Sequence, residues 1–191
     1  MFFLAVYNIF LYKITGKTDI MVGTPANTRN SEEESGVIGM FVSNLALRNR
    51  IEEGDSFADL ASRVRENVID ALENRNLPFS DLVEKNLRPV DPARPLLNIF
   101  FRTIYLDGNF DTAFSDGLTI KPQRIGFRNV PFDLELAVVA GPTWTQLVLV
   151  YNRDLFQKET VEKLLSYFYS MLKTIGSDPG VKIAGIKAWK K

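Results

Sequence analysis

The 191-residue chain contains neither histidine nor cysteine. Without cysteine it can form no disulfide, no thiolate nucleophile and no zinc–thiolate site, and without histidine it lacks the commonest general base and metal ligand. A self-contained Ser-His-Asp or Cys-His enzyme is therefore excluded, and we predict no metal site. If the chain takes part in catalysis that needs an imidazole base, that base must come from elsewhere.

The chain also lacks an excess of charge and a long apolar run. Its 23 basic and 23 acidic residues give no net charge, so it has no positive electrostatic field that would attract nucleic acid or anionic lipid. We predict neither as a partner. The apolar segment Phe2–Ile14 is too short to span a bilayer, and no basic residues precede it. We therefore predict no membrane association and a cytoplasmic location.

Three segments predict the main helices. Phe2–Ile14 is apolar nearly all round, which is typical of a buried core helix. The segment after Ser56 repeats apolar residues at three- and four-residue spacing, and Ser56 with Asp59 resembles a capping box. Lys158–Ile175 aligns its apolar residues on one face in the same way.

The remaining apolar runs predict the strands of one sheet, because β-branched and aromatic residues dominate them. Phe132–Val138 alternates strictly between apolar and polar residues, and the Gly-Pro turn after it predicts an antiparallel hairpin. The predicted fold class is α/β, a mixed β-sheet flanked by helices in a single domain over residues 1–191. The predicted strands are Asp19–Pro25, Phe41–Ile51, Leu96–Leu106, Phe132–Val138 and Trp144–Tyr151, with a short one at Leu118–Lys121 inside a long loop.

Five segments match, in the same order, the motifs of one known family. ITGKTDIMVGTPANTR at Ile14–Arg29 is similar to the family's YTGQxDIxVGTPxAxR, and IGMFVSNLALR at Ile38–Arg48 is similar to IGFFVNTLxLR. NRNLPFSDL at Asn74–Leu82 resembles HQxxPFExL, and DPARPLLNIFF at Asp91–Phe101 resembles DxSRxPLFxVxF with one residue fewer. VYNRDLF at Val150–Phe156 is similar to YNxDLF. Over nearly its whole length the chain therefore resembles the condensation domain of nonribosomal peptide synthetases.

The resemblance implies a chloramphenicol-acetyltransferase-like half-domain, the C-terminal lobe of a two-lobed condensation domain. In that family the lobes enclose a tunnel where two carrier-protein phosphopantetheine arms meet and a peptide bond forms between their acyl and aminoacyl thioesters. The family's His-His-x-x-x-Asp-Gly motif lies in the N-terminal lobe, upstream of this chain. The resemblance thus implies a chain that is incomplete and inactive alone. Its partners would be the missing N-terminal lobe, peptidyl or acyl carrier proteins and a neighbouring adenylation domain, with no cofactor bound directly.

The resemblance also assigns residues of the substrate tunnel. Gly23–Gly39, which begins with Gly23, Thr24 and Pro25, would be the loop that closes the tunnel floor, although an ordinary polar strand connection is the alternative. Ser43 and Asn44 stand at the Asn-Thr of the family's FVNT motif. We expect this polar pair to face the acceptor substrate or a tunnel water, the alternative being simple alternation toward solvent.

Further residues of the matching motifs are expected to shape the structure around the tunnel. Asp91 and Arg94 could form an ion pair that fixes a proline-rich turn, or a solvated pair of little consequence. Asn74 stands where the family often has His, and a helix-capping role is favoured for it. The expected structural residues of these motifs are Arg29, Pro78, Phe79, Asp91, Arg94 and Asp154.

Two other functions fit the same residues. The chain could be a non-catalytic module that binds a carrier protein or the other lobe, or it could come from an epimerising or ester-forming relative of the family. The FVSN and LPF segments favour the amide-forming type. If Phe2–Ile14 and Leu96–Leu106 pack near a second lobe, the isolated chain should expose a large apolar patch there.

Overall fold

A computed structural model of the protein describes residues 1–52, 54–79, 81, 97–106, 130 and 132–189. Five strands form one sheet, and helices pack on it, so the predicted α/β class with a mixed sheet is confirmed. The helices are α1 (Phe2–Thr15), α2 (Glu32–Ser35), α3 (Phe57–Glu73) and α4 (Lys158–Ser177), with a 3₁₀ turn at Ile183–Gly185. The strands are β1 (Asp19–Asn27), β2 (Val42–Arg50), β3 (Ile99–Tyr105), β4 (Leu134–Ala140) and β5 (Thr145–Tyr151).

The strands lie in the order β2-β1-β3-β4-β5. The two outer pairs, β1 with β2 and β4 with β5, are antiparallel, whereas β3 runs parallel to both β1 and β4. Successive side chains of a strand point to opposite sides of a sheet. The sheet therefore has a helix-covered face, which carries residues such as Val22, Leu47, Phe101 and Leu136, and a second face on the opposite side.

Helix α1 lies at the centre of the core. Every residue from Leu4 to Leu11 is buried, which confirms the prediction of a helix that is covered nearly all round. It contacts α3, α4 and β1, and its Phe10 ring packs edge-on against Phe168 of α4 at 5.5 Å between ring centroids. Because this chain itself covers Leu4–Leu11, α1 does not supply the large exposed apolar patch expected if Phe2–Ile14 packed near a second lobe.

The helix ends follow the local sequence signals. Asp59 and Ser56 form the predicted capping box, with the Asp59 amide donating to Ser56 Oγ at 3.2 Å and the Ser56 amide donating to Asp59 Oδ2 at 2.9 Å. The Ser56 hydroxyl also donates to Asp59 Oδ2 at 2.6 Å, and this bond, together with that from the Ser56 amide, holds the pKa of the Asp59 carboxyl below its usual value. Gly16 ends α1 with φ of 72°, a left-handed conformation that suits glycine.

The structure differs from the predictions mainly at element ends. Strand β1 continues two residues past Pro25, and β4 begins at Leu134 rather than Phe132. Within the segment between β1 and β2, Glu32–Ser35 forms the single helical turn α2, because the Ser31 hydroxyl accepts from the Glu34 amide and caps it. The predicted long loop and its short strand at Leu118–Lys121 lie outside the described residues.

Three buried polar atoms form no hydrogen bond within the described residues: the Tyr7 hydroxyl, Asn8 Oδ1 and Asn49 Nδ2. Tyr7 is fully buried and its hydroxyl forms no hydrogen bond within the described part of the chain. Burial raises the pKa of Tyr7, so the hydroxyl stays protonated, and the described residues offer it no acceptor. A buried hydroxyl without a partner keeps its full desolvation cost.

We predict that Tyr7→Phe raises the free energy of unfolding by about 1 kcal/mol, because it removes that unpaired hydroxyl and keeps the ring. The matched control is Tyr167→Phe. The Tyr167 hydroxyl donates to the Lys187 carbonyl oxygen at 2.6 Å, so its loss should lower the free energy of unfolding by about 1 kcal/mol. Urea denaturation of both variants is the measurement, and equal destabilisation by the two would contradict the prediction.

Candidate functional site

Strand pairing brings three of the predicted tunnel residues to the second face of the sheet. Pro25 of β1 lies opposite Asn44 of β2, and Gly23 lies opposite Ala46. Gly23 also pairs with Phe100 on its other side. Since paired residues in neighbouring strands share a face, Gly23, Pro25 and Asn44 form one group.

The other two predicted tunnel residues lie on the helix-covered side. Thr24 pairs with Leu45, and Ser43 pairs with Ala26, which is buried. Ser43 is half-buried and lines a recess of about 400 Å³ at the end of α3. Thr28, Phe41, Val42, Arg75, Asn76 and Pro78 also line it. The polar pair Ser43-Asn44 is therefore split between the two faces.

Gly23 is the point of closest packing on the second face. The Phe100 ring lies across it, so that a Cβ atom on Gly23 would stand 2.6 Å from Phe100 Cζ. The ring in turn stacks on Phe132, with 3.6 Å between centroids and 24° between planes. Only a residue without a side chain leaves room for this ring. This steric requirement explains why the VGTP segment has glycine at position 23.

The second face also carries an ion pair. Glu135 of β4 lies opposite Phe100, and its carboxylate contacts the Arg102 guanidinium of β3. The Glu135 side chain is 10% exposed and that of Arg102 is 44% exposed. Burial raises the pKa of Glu135 above its usual value, and the Arg102 charge opposes that rise. Sequence reasoning had assigned no role to this pair, and its only signal was the position of Glu135 on the polar side of its strand.

The loop between β1 and β2 is held by Arg29, one of the predicted structural residues. Its guanidinium donates to the Glu34 and Val37 carbonyl oxygens, the latter at 2.9 Å, and lies 3.9 Å over the Phe41 ring centroid. The Thr28 amide donates to the Phe41 carbonyl at 2.9 Å and closes the neck of the loop. The loop therefore has a defined shape.

The remaining predicted residues do not join the group on the second face. Pro78 and Phe79 begin a helical turn, in which the Asp81 amide donates to the Pro78 carbonyl at 3.1 Å. The Asp154 amide donates to Asn152 Oδ1 at 3.0 Å in an exposed turn after β5. Asn74 caps α3 as predicted, and its side-chain amide donates to the Asp70 carbonyl at 2.9 Å. Asp91 and Arg94 lie outside the described residues.

The described residues also bear on a metal site, a membrane-spanning helix and a second recess. They contain no cluster of three His, Cys, Asp or Glu residues that could hold a metal ion. No helix among them is long and apolar enough to cross a membrane. A larger recess of about 520 Å³ lies at the start of β1 and β3, where Leu11, Ile20, Ile99 and Trp189 line it, and it holds none of the predicted site residues.

The comparisons with known proteins agree with the motifs. The family described as "Condensation domain" matches residues 1–190. Surfactin synthase subunit 1 of Bacillus subtilis is 34% identical over 188 residues, which cover 98% of this chain and 5% of that protein. This chain thus spans a small part of the curated relatives that it matches.

Solved structures share the fold at low sequence identity. The starter condensation domain of the rhizomide synthetase RzmA superposes with a TM-score of 0.82 at 20% identity, over 99% of this chain and 45% of that one. The X-domain in its complex with OxyB from teicoplanin biosynthesis gives a TM-score of 0.84 at 20% identity, over 100% of this chain and 42% of that one. The chain spans less than half of either structure.

We predict that Gly23→Ala lowers the free energy of unfolding by about 1–3 kcal/mol. The new methyl group would displace the Phe100 ring from its stack on Phe132. In the Phe100→Leu background the same substitution should cost less, because the ring is gone. Gly36→Ala is the control, since the nearest atom to its Cβ would be 3.9 Å away. Equal costs of Gly23→Ala in both backgrounds, measured by urea denaturation, would contradict this account.

The pKa of Glu135 predicts a pH dependence of stability. Because the folded-state pKa is raised, the folded protein holds its proton over an interval where the unfolded chain has lost it, so stability falls as pH rises through that interval. We expect the stability of wild type relative to Glu135→Gln to decrease from mildly acidic to neutral pH. Urea denaturation at stepped pH measures this difference. The exposed Glu159→Gln variant supplies the surface reference, and a pH-independent difference between wild type and Glu135→Gln would refute the prediction.

Proposed function

Since the chain belongs to the condensation domain family of the nonribosomal peptide synthetases, we propose that it is the C-terminal lobe of such a domain, residues 1–191 forming that lobe alone. The parent domain would join an acyl or peptidyl group on one carrier protein to the amine of an aminoacyl group on another. The observation that carries this proposal is the coverage: 99% of the chain superposes on only 45% of a starter condensation domain. The motif order along the chain supports the assignment to the C-terminal half.

In the proposed reaction the acceptor amine attacks the donor thioester carbonyl, the C–N bond forms and the C–S bond breaks. The amine proton passes through a base to the departing sulfur, so the donor arm leaves as a thiol. This chain has no histidine or cysteine to take that proton. The proposal therefore gives the base to the missing N-terminal lobe and gives positioning to this chain. Holding two reactants in line can supply a large part of the rate.

The second face is the proposed tunnel wall. Pro25 is exposed on this wall, whereas Gly23 is buried beneath the Phe100 ring and lets that ring lie close to the sheet. The exposed Asn44 adds an amide that can both donate and accept a hydrogen bond. Thr24 and Ser43 lie on the other face. We propose that they do not touch substrate and that they influence the wall only through the loop and the recess beside it. The phosphopantetheine arms would be presented by the carrier proteins, so this lobe binds no cofactor of its own. A neighbouring adenylation domain is the further proposed partner.

A second candidate is a non-catalytic interaction module. The observation in its favour is the fold likeness to the X-domain, which was solved in complex with OxyB. On this alternative the chain would bind a partner protein and the transfer of an acyl group would not occur. The absence of histidine fits both candidates equally, so an activity measurement must separate them.

We predict that the full-length protein transfers an aminoacyl group between loaded carrier proteins in a single-turnover assay, whereas this chain alone gives no rate above background. In the full-length protein Asn44→Ala should slow transfer about two- to tenfold, because one hydrogen bond to substrate or water is worth about 0.5–1.5 kcal/mol. Ser43→Val, on the helix-covered face of the same strand, is the matched control.

The outcomes of this assay are distinct. No transfer by the full-length protein, together with carrier or partner binding, would favour the interaction module. Transfer by the isolated chain would overturn the proposal that it is an incomplete lobe. A larger loss in Ser43→Val than in Asn44→Ala, with both variants folded, would assign the tunnel to the other face.

A further inference from the structure

The ion pair on the second face lies at the centre of the sheet. Strand β3 is the middle strand of the five, and Arg102 is the middle residue of its seven. Phe100 and Ile104 are its neighbours on the same side of β3. Its partner in the register of β4 is Ala137, which is 2% exposed. Arg102 and Glu135 therefore carry charge at a place where these neighbours are apolar.

Strand β5 continues the apolar surroundings of the pair. Val150 lies opposite Glu135 and Val148 lies opposite Ala137, and both valines are half-buried. Among the described second-face positions of β3, β4 and β5, Arg102 is the only cation and Glu135 the only anion. Because charges are costly to take out of water, an apolar pair would serve a purely structural purpose here equally well.

Glu135 satisfies only one side of the Arg102 guanidinium. The closest atoms of the pair are Arg102 Nε and Glu135 Oε1. A guanidinium has five N–H donors in a planar fork, and one carboxylate cannot accept from all of them. The Arg102 side chain is also the more exposed of the two. Its remaining donors are therefore available from the open side of the face, while Glu135 fixes the other side.

The chemical group that best matches these donors is a carboxylate. Parallel N–H groups of an arginine fit the oxygens of a carboxylate or a phosphate, and an ionised acceptor makes such hydrogen bonds roughly twice as strong as neutral ones. The negative charge of Glu135 stands beside the site and repels a doubly charged group more than a singly charged one. A carboxylate is therefore favoured over a phosphate.

We propose that Arg102 selects acidic substrates, its free donors binding the side-chain carboxylate of a carrier-bound aminoacyl or acyl group. This inference rests on the proposed function, because it takes the second face as the tunnel wall. When a carried group displaces water from that wall, the Arg102 donors need another acceptor, since a buried donor without one is costly. An acidic side chain supplies two charged oxygens, whereas its isosteric amide supplies one neutral oxygen.

Single-turnover transfer by the full-length protein tests this selection. Acceptor carriers loaded with aspartate or asparagine, and with glutamate or glutamine, are compared at one fixed donor, and the same pairs are then compared on the donor carrier at one fixed acceptor. In at least one pair the acid should be transferred roughly tenfold or more faster than its amide, because charge-assisted hydrogen bonds are lost in the amide. The side that shows this preference identifies the carried group that binds Arg102.

A double variant, Arg102→Gln with Glu135→Gln, removes both charges and leaves no unpaired buried ion, so the fold should persist. In it the acid and its amide should react at equal rates. Arg48→Gln is the matched control, because Arg48 lies on the same face at the far end of β2, paired with Asp19, and its loss should not change the ratio of the two rates. Arg102→Lys keeps the charge without the planar fork and should lower the ratio roughly threefold or more.

Each outcome of the transfer experiment decides the selection. Equal rates for every acid and its amide in an active wild type overturn it. An unchanged ratio in the double variant, or in Arg102→Lys if the double variant does not fold, overturns it as well. Equal slowing of all substrates in the double variant also contradicts it and would assign the guanidinium to the carrier arm.

A binding measurement separates this inference from the proposed function. Pantetheine amides of N-acetylaspartate and N-acetylglutamate, and of their asparagine and glutamine counterparts, report affinity without transfer when the full-length protein is titrated calorimetrically. If nothing is transferred but an acidic probe binds roughly tenfold or more tightly than its amide counterpart in wild type alone, the proposed function fails and the selection stands. A preference that is absent, or that persists in the double variant, overturns the selection.

Discussion

Eight consecutive residues of α1, from Leu4 to Leu11, are buried, and a helix can meet that condition only if other elements cover it on every side. The sheet covers one side, α3 covers a second and α4 a third. Removing apolar surface from water is favourable by about 25 cal/mol per Å². The burial of α1 therefore stabilises the packing of the sheet, α3 and α4 around it. Tyr7 shows how strict the constraint is, because even its hydroxyl is enclosed without a described partner.

The position of α1 determines which face of the sheet belongs to the core and which face does not. Residues that alternate toward α1, such as Val22 and Leu47, are committed to the core. The residues between them are then left for the second face, where the sheet places Gly23, Asn44 and the Arg102–Glu135 pair. The strand period of two thus separates the residues that face α1 from those of the second face, on which Asn44 is exposed while Gly23 is covered by the Phe100 ring.

Local patterns in the sequence predicted the helices and strands. They did not predict the side-chain contacts that depend on how the strands pair. The capping box at Ser56 and Asp59 and the all-round apolar character of α1 are local signals, and both predictions are confirmed. That Ser43 and Asn44 point to opposite faces follows from the strand period of two, so expecting both to face the tunnel was wrong; which of them lies on the second face depends on the pairing with β1. The Arg102–Glu135 contact likewise joins strands 33 positions apart in sequence. The four-residue α2 was missed because a single capped turn has too little periodicity to recognise.

The Arg102–Glu135 pair also bears on whether this chain could supply a base of its own. Glu135 combines burial with a raised pKa, which are the properties expected of a catalytic carboxyl. Its carboxylate, however, is bound to the Arg102 guanidinium, and taking up a proton would remove the negative charge that this cation faces. The guanidinium thus occupies the carboxylate that a substrate amine would have to reach, and its charge opposes the rise in pKa that burial causes. The pair therefore fits the role of a fixed dipole on the proposed tunnel wall better than that of a proton acceptor, which agrees with the proposal that this chain orients reactants and does not deprotonate them.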